Sequence, residues 1–391
     1  MMKVIKLILQ FFLLELINVA VLVQKSNNKI SDRSILIIRL DAIGDYILFR
    51  NFIKILKENV KYRDYKVTLV GNIRWMELAQ YLDSDYVDKF ILIDPVKFHK
   101  NLIYRYIELR KITSLGSEIV INPVWSRTYD MDCVVKVINA KEKIGFKGDL
   151  SNINPLIKRI SDRYYTYLID GENNIIFEFY RNKEFFEKLL GYEIKIKKPH
   201  IENKKNTSQR VKELKDLNYC VLFIGASADF RKWGIENFAK VAEYLKQNYN
   251  YEIILCGGVE DVEKTIDFEK IYGRDYRNLV GKTSLIDMIE ILSVAKLVIT
   301  TETFTHHLAV ALNVKKIIVI SNGNHFGRFV PYPKEIWENH YTVFNPEIEK
   351  DLIKYEKLSN RYGYGSNLDI NEITADRVIK EIDKILYKKE F

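Results

Sequence analysis

The sequence predicts an α/β protein built from two doubly wound, Rossmann-like domains facing a central cleft. Three observations carry this. Short apolar runs that end at turn residues alternate with helical patterns, which is how a parallel sheet covered on both faces reads. The alternation comes in two series with a polar, apolar-poor segment between them. The chain has 391 residues, more than a single hydrophobic core usually supports, so two domains of roughly 150–200 residues are expected.

The first series opens with the run Ile35–Arg39 (ILIIR), followed by a loop and a helical pattern from Tyr46 to Lys57. Further runs lie at Lys66–Val70, Phe90–Ile93 and Glu118–Ile121, and they stop at Gly71, Asp94 and Asn122-Pro123. The stretch Asn203–Arg210 (NKKNTSQR) is read as the linker. The second series has runs at Tyr219–Ile224, Glu252–Cys256, Leu297–Thr301 and Lys316–Ile320, with helical patterns over Ile235–Gln247 and Leu285–Ala295. An amphipathic pattern from Thr374 to Lys388 ends the second domain. The expected division is 1–33, 34–205 and 206–391. In such folds ligands bind at the carboxyl ends of the strands.

Residues 1–33 form a separate segment. Leu7 to Val23 is largely apolar, but Gln10, Glu15 and Asn18 interrupt it within an arc of about 140° at helical spacing. Lys3, Lys6, Gln24 and Lys25 fall on or near that side, as do Leu14, Ile17 and Val21. The stretch is short against the ~20 apolar residues of a membrane span. No small-residue cleavage site follows it. Two readings stand side by side: a helix lying in the plane of an anionic membrane surface, or a helix packed on the protein itself.

Hydrophobic residues make up 47% of the chain and charged residues 29%, which excludes a mainly disordered protein. The net charge of +9 is spread along the chain and suits an anionic partner such as a lipid surface, a phosphorylated glycan or a nucleotide. Zinc-finger, RNP and basic-zipper patterns are absent, so no nucleic acid is expected as a partner. Cys133, Cys220 and Cys256 form neither a disulfide framework nor a CxxC pair, which points to buried thiols in a reducing cytoplasm.

Four motifs carry candidate chemistry. Arg39–Tyr46 (RLDAIGDY) joins the first strand to its helix; Gly44 permits a tight turn, and Asp45 is either a helix N-cap or a general base facing the cleft. Gly225-Ala226-Ser227 and Phe230-Arg231-Lys232-Trp233 follow the first strand of the second series. There, small residues admit a ligand, and Arg231 and Lys232 stand before a helix start as a diphosphate site or as a solvated pair. Gly257-Gly258-Val259-Glu260 ends the next strand, where Glu260 or Glu263 can accept from two ribose hydroxyls. The run Thr300–Ala309 (TTETFTHHLA) sets hydroxyls, Glu302 and two histidines at a strand's carboxyl end. His306 and His307 point about 100° apart on a helix, which disfavours a shared metal. The Asp83–Asp85 and Asp130–Asp132 pairs are read as surface features, so no metal site and no cofactor is expected.

In this order the motifs resemble glycosyltransferase family 9, the ADP-heptose:lipopolysaccharide heptosyltransferase family. The resemblance covers roughly residues 34–145 and 215–390. It rests on ILIIRLDAIGDYIL, on GAS…RKW and on LVGKTSLIDMIEILSVAKLVITTETFTHHLAVAL as an ordered set. It implies the GT-B fold, with an acceptor domain at 34–205 and a donor domain at 206–391. It also implies inverting transfer without a metal from a nucleotide diphosphate sugar to a lipopolysaccharide or other lipid-linked surface glycan, on the cytoplasmic side of the membrane. By the same resemblance Asp45 is the base and Arg231, with Lys232 adjacent, holds the donor phosphate. Glu302, Thr303 and His307 belong to the donor-binding signature, and Gly44, Gly225, Ser227 and Glu260 complete the expected donor site. The chain departs from the family in two places: Glu302 stands where aspartate is usual, and Phe304 where glycine is usual. Heptose as the donor sugar is therefore not carried over. Two other activities fit the same plan: a nucleotide-sugar epimerase of GT-B fold, and a non-catalytic subunit of a glycan-assembly complex.

Overall fold

The computed structural model of the protein describes residues 2–23, 29–204 and 208–387. Gln24, Lys25, part of the expected linker and Lys388 lie outside them. The chain forms two compact units. The first comprises Met1–Asn173 and Tyr180–Lys195; the second comprises Asn174–Phe179 and Ile196–Phe391. The chain thus enters the second unit upstream of the expected linker, after a short earlier excursion.

Each unit carries one six-stranded, wholly parallel sheet. The strands of the first are β1 (Ser31–Arg39), β2 (Lys66–Asn72), β3 (Lys89–Ile93), β4 (Ser117–Asn122), β5 (Ala140–Phe146) and β6 (Tyr167–Ile169). Those of the second are β7 (Tyr219–Phe223), β8 (Glu252–Cys256), β9 (Arg277–Asn278), β10 (Leu297–Thr301), β11 (Ile317–Ser321) and β12 (His340–Phe344). The spatial orders are β3-β2-β1-β4-β5-β6 and β12-β11-β10-β7-β8-β9. Counted from the first strand of each unit, both are the 3-2-1-4-5-6 order of a doubly wound dinucleotide fold. Central strands are covered on both faces and so read as unbroken apolar runs. Ile37 of β1 pairs with Leu69 and Ile121, and Ile299 of β10 pairs with Leu222 and Ile318; all six are fully buried. The expected strands are all present. Each sheet has two further strands that the sequence pattern did not reveal: β5, β6, β9 and β12.

The N-terminal helix Met2–Val23 packs on helices Leu102–Thr113 and Tyr129–Val137 of its own unit. Of its polar arc, Glu15 and Asn18 face the protein. Glu15 accepts from Lys136, Tyr129 and Tyr164, and Asn18 Nδ2 donates to Cys133 Sγ at 3.1 Å. Leu14, Asn18 and Val21 are buried, while Phe12, Leu13, Leu16, Val19 and Val23 are exposed. The helix therefore docks through its carboxylate and amide and turns its apolar side outward. Among the described residues, no helix is long and apolar enough to cross a membrane.

Candidate functional site

The sheet order fixes where a ligand can sit. Strand direction of winding reverses between β1 and β4 and between β7 and β10, and loops leaving those strands diverge to open a crevice in each unit. Asp45 follows β1, Gly225–Lys232 follows β7, and Glu302–His307 follows β10. Three of the four sequence motifs thus fall at the switch points of their sheets, and Gly257–Glu260 follows the neighbouring strand β8.

In the first unit the loop after β1 is fastened from below. The fully buried Arg39 pairs with Asp41 at 3.0 Å, donates to Asn182 Oδ1 at 2.7 Å and stacks over Phe49. Asn72 Nδ2 and Trp75 Nε1 both donate to the Asp41 carbonyl, at 2.9 and 3.0 Å. The Trp75 ring lies 4.4 Å from Tyr46, nearly parallel to it, and the Tyr46 hydroxyl donates to Asp83. Asp45 sits in the first turn of helix Ile43–Phe49, whose N-cap is Ala42 without a side-chain cap bond. Asp45 is therefore not the N-cap. Gly44 also lies inside that helix and is not among the left-handed glycines, so no tight turn is built on it. The carboxylate of Asp45, partly exposed, enjoys the favourable dipole of a helix start.

In the second unit Gly225 and the Gly257-Gly258 pair pack around Asp261, a fully buried carboxylate. A Cβ on Gly225 would come within 2.6 Å of Asp261 Oδ2, so the close approach requires glycine. Asp261 accepts from the Gly258 amide at 3.0 Å and from Lys264 at 2.7 Å. It closes the turn after β8 and packs against Gly225 of the loop after β7, a role not assigned from the sequence. Glu260 is exposed in the same turn and folds back over Gly258; Glu263 and Ser227 are exposed too.

Arg231 and Lys232 part ways. Arg231 Nη1 donates to the Glu302 carbonyl at 3.3 Å, and its Nε is buried with no hydrogen-bond partner. Lys232 turns to Asp229 at 2.7 Å. Trp233 anchors the segment in the core by donating to the Ile373 carbonyl at 2.6 Å. Two more buried hydroxyls without a partner, Thr301 Oγ1 and Thr305 Oγ1, flank the Glu302 loop. The Glu302 side chain is buried; it accepts from Ser321 Oγ and from the Gly323 amide. Burial pushes its carboxyl up to about 7, against the opposing pull of Ser321 and the Arg231 charge. Thr303 caps helix Phe304–Ala311 by accepting from the Thr305 amide. Phe304, the departure from glycine, packs edge-to-face on Phe223 with ring centres 5.4 Å apart.

The histidines turn inward. His307 Nδ1 meets the Tyr332 hydroxyl at 2.7 Å, and burial lowers its pKa to about 3. His306 Nδ1 lies 3.3 Å from His340 Nε2, and burial holds both well below the ordinary histidine range. The His306 and His307 rings lie 3.9 Å apart instead of diverging. Among the described residues no group of three or more His, Cys, Asp or Glu side chains could hold a metal ion.

Of the Asp-x-Asp pairs only Asp85 is exposed at the surface; Asp83, Asp130 and Asp132 are drawn into the protein. Asp83 is buried against Arg50 at 2.6 Å, and Asp132 against Arg127 at 2.9 Å with Ser161 and Tyr165. Asp130 pairs with Arg105 at 2.5 Å and with His99 at 2.8 Å. Each of these three carboxylates is paired with an arginine, which offsets the cost of taking its charge out of water. A pocket of about 840 Å³ adjoins the Arg231 turn, lined by Phe230, His325, Arg361 and Tyr364 among others. Asn322 frames it, donating to the Phe230 and Leu368 carbonyls at 3.1 and 3.0 Å. Asn322 and Ser321 went unnoticed in the sequence, although Ser-Asn-Gly-Asn directly after an apolar run is a turn signal.

Two sheets of the same dinucleotide-fold order, each with a motif-bearing loop at its switch point, define a GT-B protein. Solved structures share that fold. A family 9 glycosyltransferase from Veillonella parvula superposes with a TM-score of 0.69 at 19% identity, covering 93% of this chain and all of that one. The E. coli heptosyltransferase WaaC with ADP gives 0.63 at 16%, covering 91% and 98%. Residues 131–348, more than half of the chain, match Glycosyltransferase family 9 (heptosyltransferase). The chain belongs to that family. The lipooligosaccharide heptosyltransferase 2 of Haemophilus ducreyi is 26% identical over 160 residues, and that of Haemophilus influenzae 25% over 162. In both cases the match spans 40% of this chain and 44% of the relative. Asp45 lies outside the family match.

Proposed function

We propose that the protein is an inverting, metal-independent glycosyltransferase that moves a sugar from a nucleotide diphosphate donor to a lipopolysaccharide or other lipid-linked surface glycan. The observation that carries this is the group of polar atoms at the end of β10. Arg231 Nε, Thr301 Oγ1 and Thr305 Oγ1 are buried without partners around a helix start. A diphosphate offers acceptors for all three and charge for the guanidinium. Family membership supports the same reading.

The step is a direct displacement. The Asp45 carboxylate takes the proton of the acceptor hydroxyl while that oxygen forms its bond to the anomeric carbon. The bond from the anomeric carbon to the phosphate oxygen breaks, and its electron pair leaves with the nucleotide diphosphate. Arg231 stabilises the charge that develops there, with Lys232 as a nearby reserve. Glu302 meets sugar hydroxyls, Glu260 the ribose, and His307 stays neutral and positions the Thr303 helix. Gly44, Gly225 and Ser227 border the substrates. The proposed location is the cytoplasmic face of a membrane, where a lipid-linked acceptor is presented. A thermal-shift panel of nucleotide diphosphate sugars tests the reading: selective stabilisation by one of them is expected, and no stabilisation by any refutes it.

One observation favours a second reading. A carboxyl poised at about 7 beside the sugar site suits proton transfer, as epimerisation requires. Incubating the donor without acceptor separates the two, because an epimerase converts it and a transferase leaves its sugar configuration unchanged.

A further inference from the structure

We propose that a pocket of the second unit, beside the Arg231 turn, is a carbohydrate subsite that holds a neutral sugar ring of the glycan, separate from the diphosphate site. The identity of the ligand rests on the glycosyltransferase reading above. The cavity measures about 840 Å³, within the ~300–1,000 Å³ range of small-molecule sites. Three pieces of chain wall it: the turn Asp229–Arg231, the corner Asn324-His325 after β11, and residues 361–371.

The walls are tied to one another before any ligand arrives. Asn322 donates to the Phe230 and Leu368 carbonyls, and Ser366 Oγ donates to the Asn322 carbonyl at 2.7 Å. His325 holds a left-handed backbone, φ 56°, which a side chain adopts at a cost and which collects at ligand sites. The Asn324 side chain is 3% exposed, and its Nδ2 is buried without a hydrogen-bond partner. An unmet buried donor is destabilising, so its presence in a pocket wall points to a ligand that accepts from it. Gly365 faces this side chain. Where a Cβ would stand the nearest atom is Asn324 Oδ1 at 4.0 Å, so glycine keeps that space open.

The lining selects the ligand. Phe230 and Tyr364, on two different walls, are exposed by 49 and 50%. An aromatic face takes the C–H face of a sugar ring out of water. The carboxamides of Asn324 and Asn367 each carry donors and an acceptor, which neighbouring ring hydroxyls require. His325 is neutral at pH 7, because burial and the Arg328 and Arg231 charges lower its pKa to about 4. Its Nδ1 gives its hydrogen to the Gly363 carbonyl at 3.4 Å and leaves Nε2 as an acceptor. Charge argues against an anion. Two carboxylates, Asp229 and Asp369, line the pocket with a single guanidinium, Arg361. Asp229 is bound to Lys232, and Arg361 lies over the Tyr362 ring at 5.0 Å. The diphosphate goes to Arg231, and the pocket beside it is left for an uncharged part of the glycan.

The test is ligand-observed saturation-transfer NMR on the full chain, with methyl glucoside, methyl galactoside, maltose and lactose as probes. At least one should receive saturation, and an excess of ADP or UDP should leave its signal unchanged. Tyr364→Ala changes an exposed position; it should keep the melting temperature and raise the Kd of that sugar roughly three- to tenfold. Asn324→Ala should weaken binding as well. No saturation of any probe overturns the proposal, and so does wild-type affinity in both variants. Loss of the signal on adding ADP or UDP overturns it too, because the sugar would then occupy the donor's own site. Thermal stabilisation by nucleotide diphosphate sugars reads the transferase separately, so sugar binding can fail while donor binding stands, and the reverse.

Discussion

Replacing Arg231 by alanine should weaken donor binding far more than replacing its neighbour Lys232. Arg231 is the inward cation: its guanidinium touches the Glu302 carbonyl at 3.3 Å and keeps a buried Nε without a partner. A charged hydrogen bond to phosphate is worth about 1.5–3 kcal/mol, which is roughly a 10- to 150-fold rise in Kd. The variant should fold, because Trp233 and its bond to Ile373 hold the turn independently. Lys232 spends its charge on the exposed Asp229, a surface pair of ~0–1 kcal/mol, so Lys232→Ala should change Kd by less than about fivefold. Arg231→Ala should also raise the Glu302 pKa further, since the guanidinium charge now opposes the effect of burial. Isothermal calorimetry with the best nucleotide diphosphate sugar reads both affinities. Equal Kd values for wild type and Arg231→Ala would refute the phosphate assignment, and a larger loss for Lys232→Ala would reverse it.

Asp45→Asn should leave the melting temperature and donor affinity unchanged, because Ala42 caps the helix, and should lower turnover by about 10²–10⁴. Wild-type turnover would remove Asp45 from the reaction. Glu302 has a folded pKa raised above its unfolded value, so the native state holds an extra proton between about 4.5 and about 7. Its contribution to stability is fully present below the unfolded value and is lost as pH rises through about 7. Glu302→Gln should flatten that fall in a pH series of urea melts. An unchanged slope would show that Glu302 is ionised when buried. Activity should survive EDTA, and Asp132→Asn should cost about 1.5–3 kcal/mol of stability by removing one of the two carboxylates, the other being Asp162, that pair with the buried Arg127. Turnover lost to EDTA and restored by a divalent ion would contradict the metal-independent step.

The central strands were legible because burial on both faces makes them uniform. ILII, YCVLF and EIILC need no periodicity to be recognised. The outer strands were not. β5 reads Ala-Lys-Glu-Lys before it turns apolar, β6 and β9 are only three and two residues long, and β12 opens with a histidine. At the site, strand ends and small residues exposed Gly225, Arg231 and Glu302. Ser321 was hidden because its partner is the distant Glu302 carboxylate, and Asp261 because what marks it, its burial against Gly225 of the preceding strand's loop, is made only by the fold. The buried aspartates were misjudged for a related reason: Asp83 and Asp132 look solvated until Arg50 and Arg127 are brought to them by the fold. The N-terminal helix showed its polar arc plainly. Which way that arc faces depends on Lys136, Tyr129 and Tyr164, far along the chain.

The central claim is acceptor-dependent transfer, and the most direct measurement is release of nucleoside diphosphate from a nucleotide diphosphate sugar, with and without a lipid-linked glycan acceptor, in EDTA. The account predicts stoichiometric release and glycosylated acceptor only when both substrates are present, and almost none with Asp45→Asn. Donor that binds and is stable under every acceptor, or that is consumed equally well without one, would contradict it.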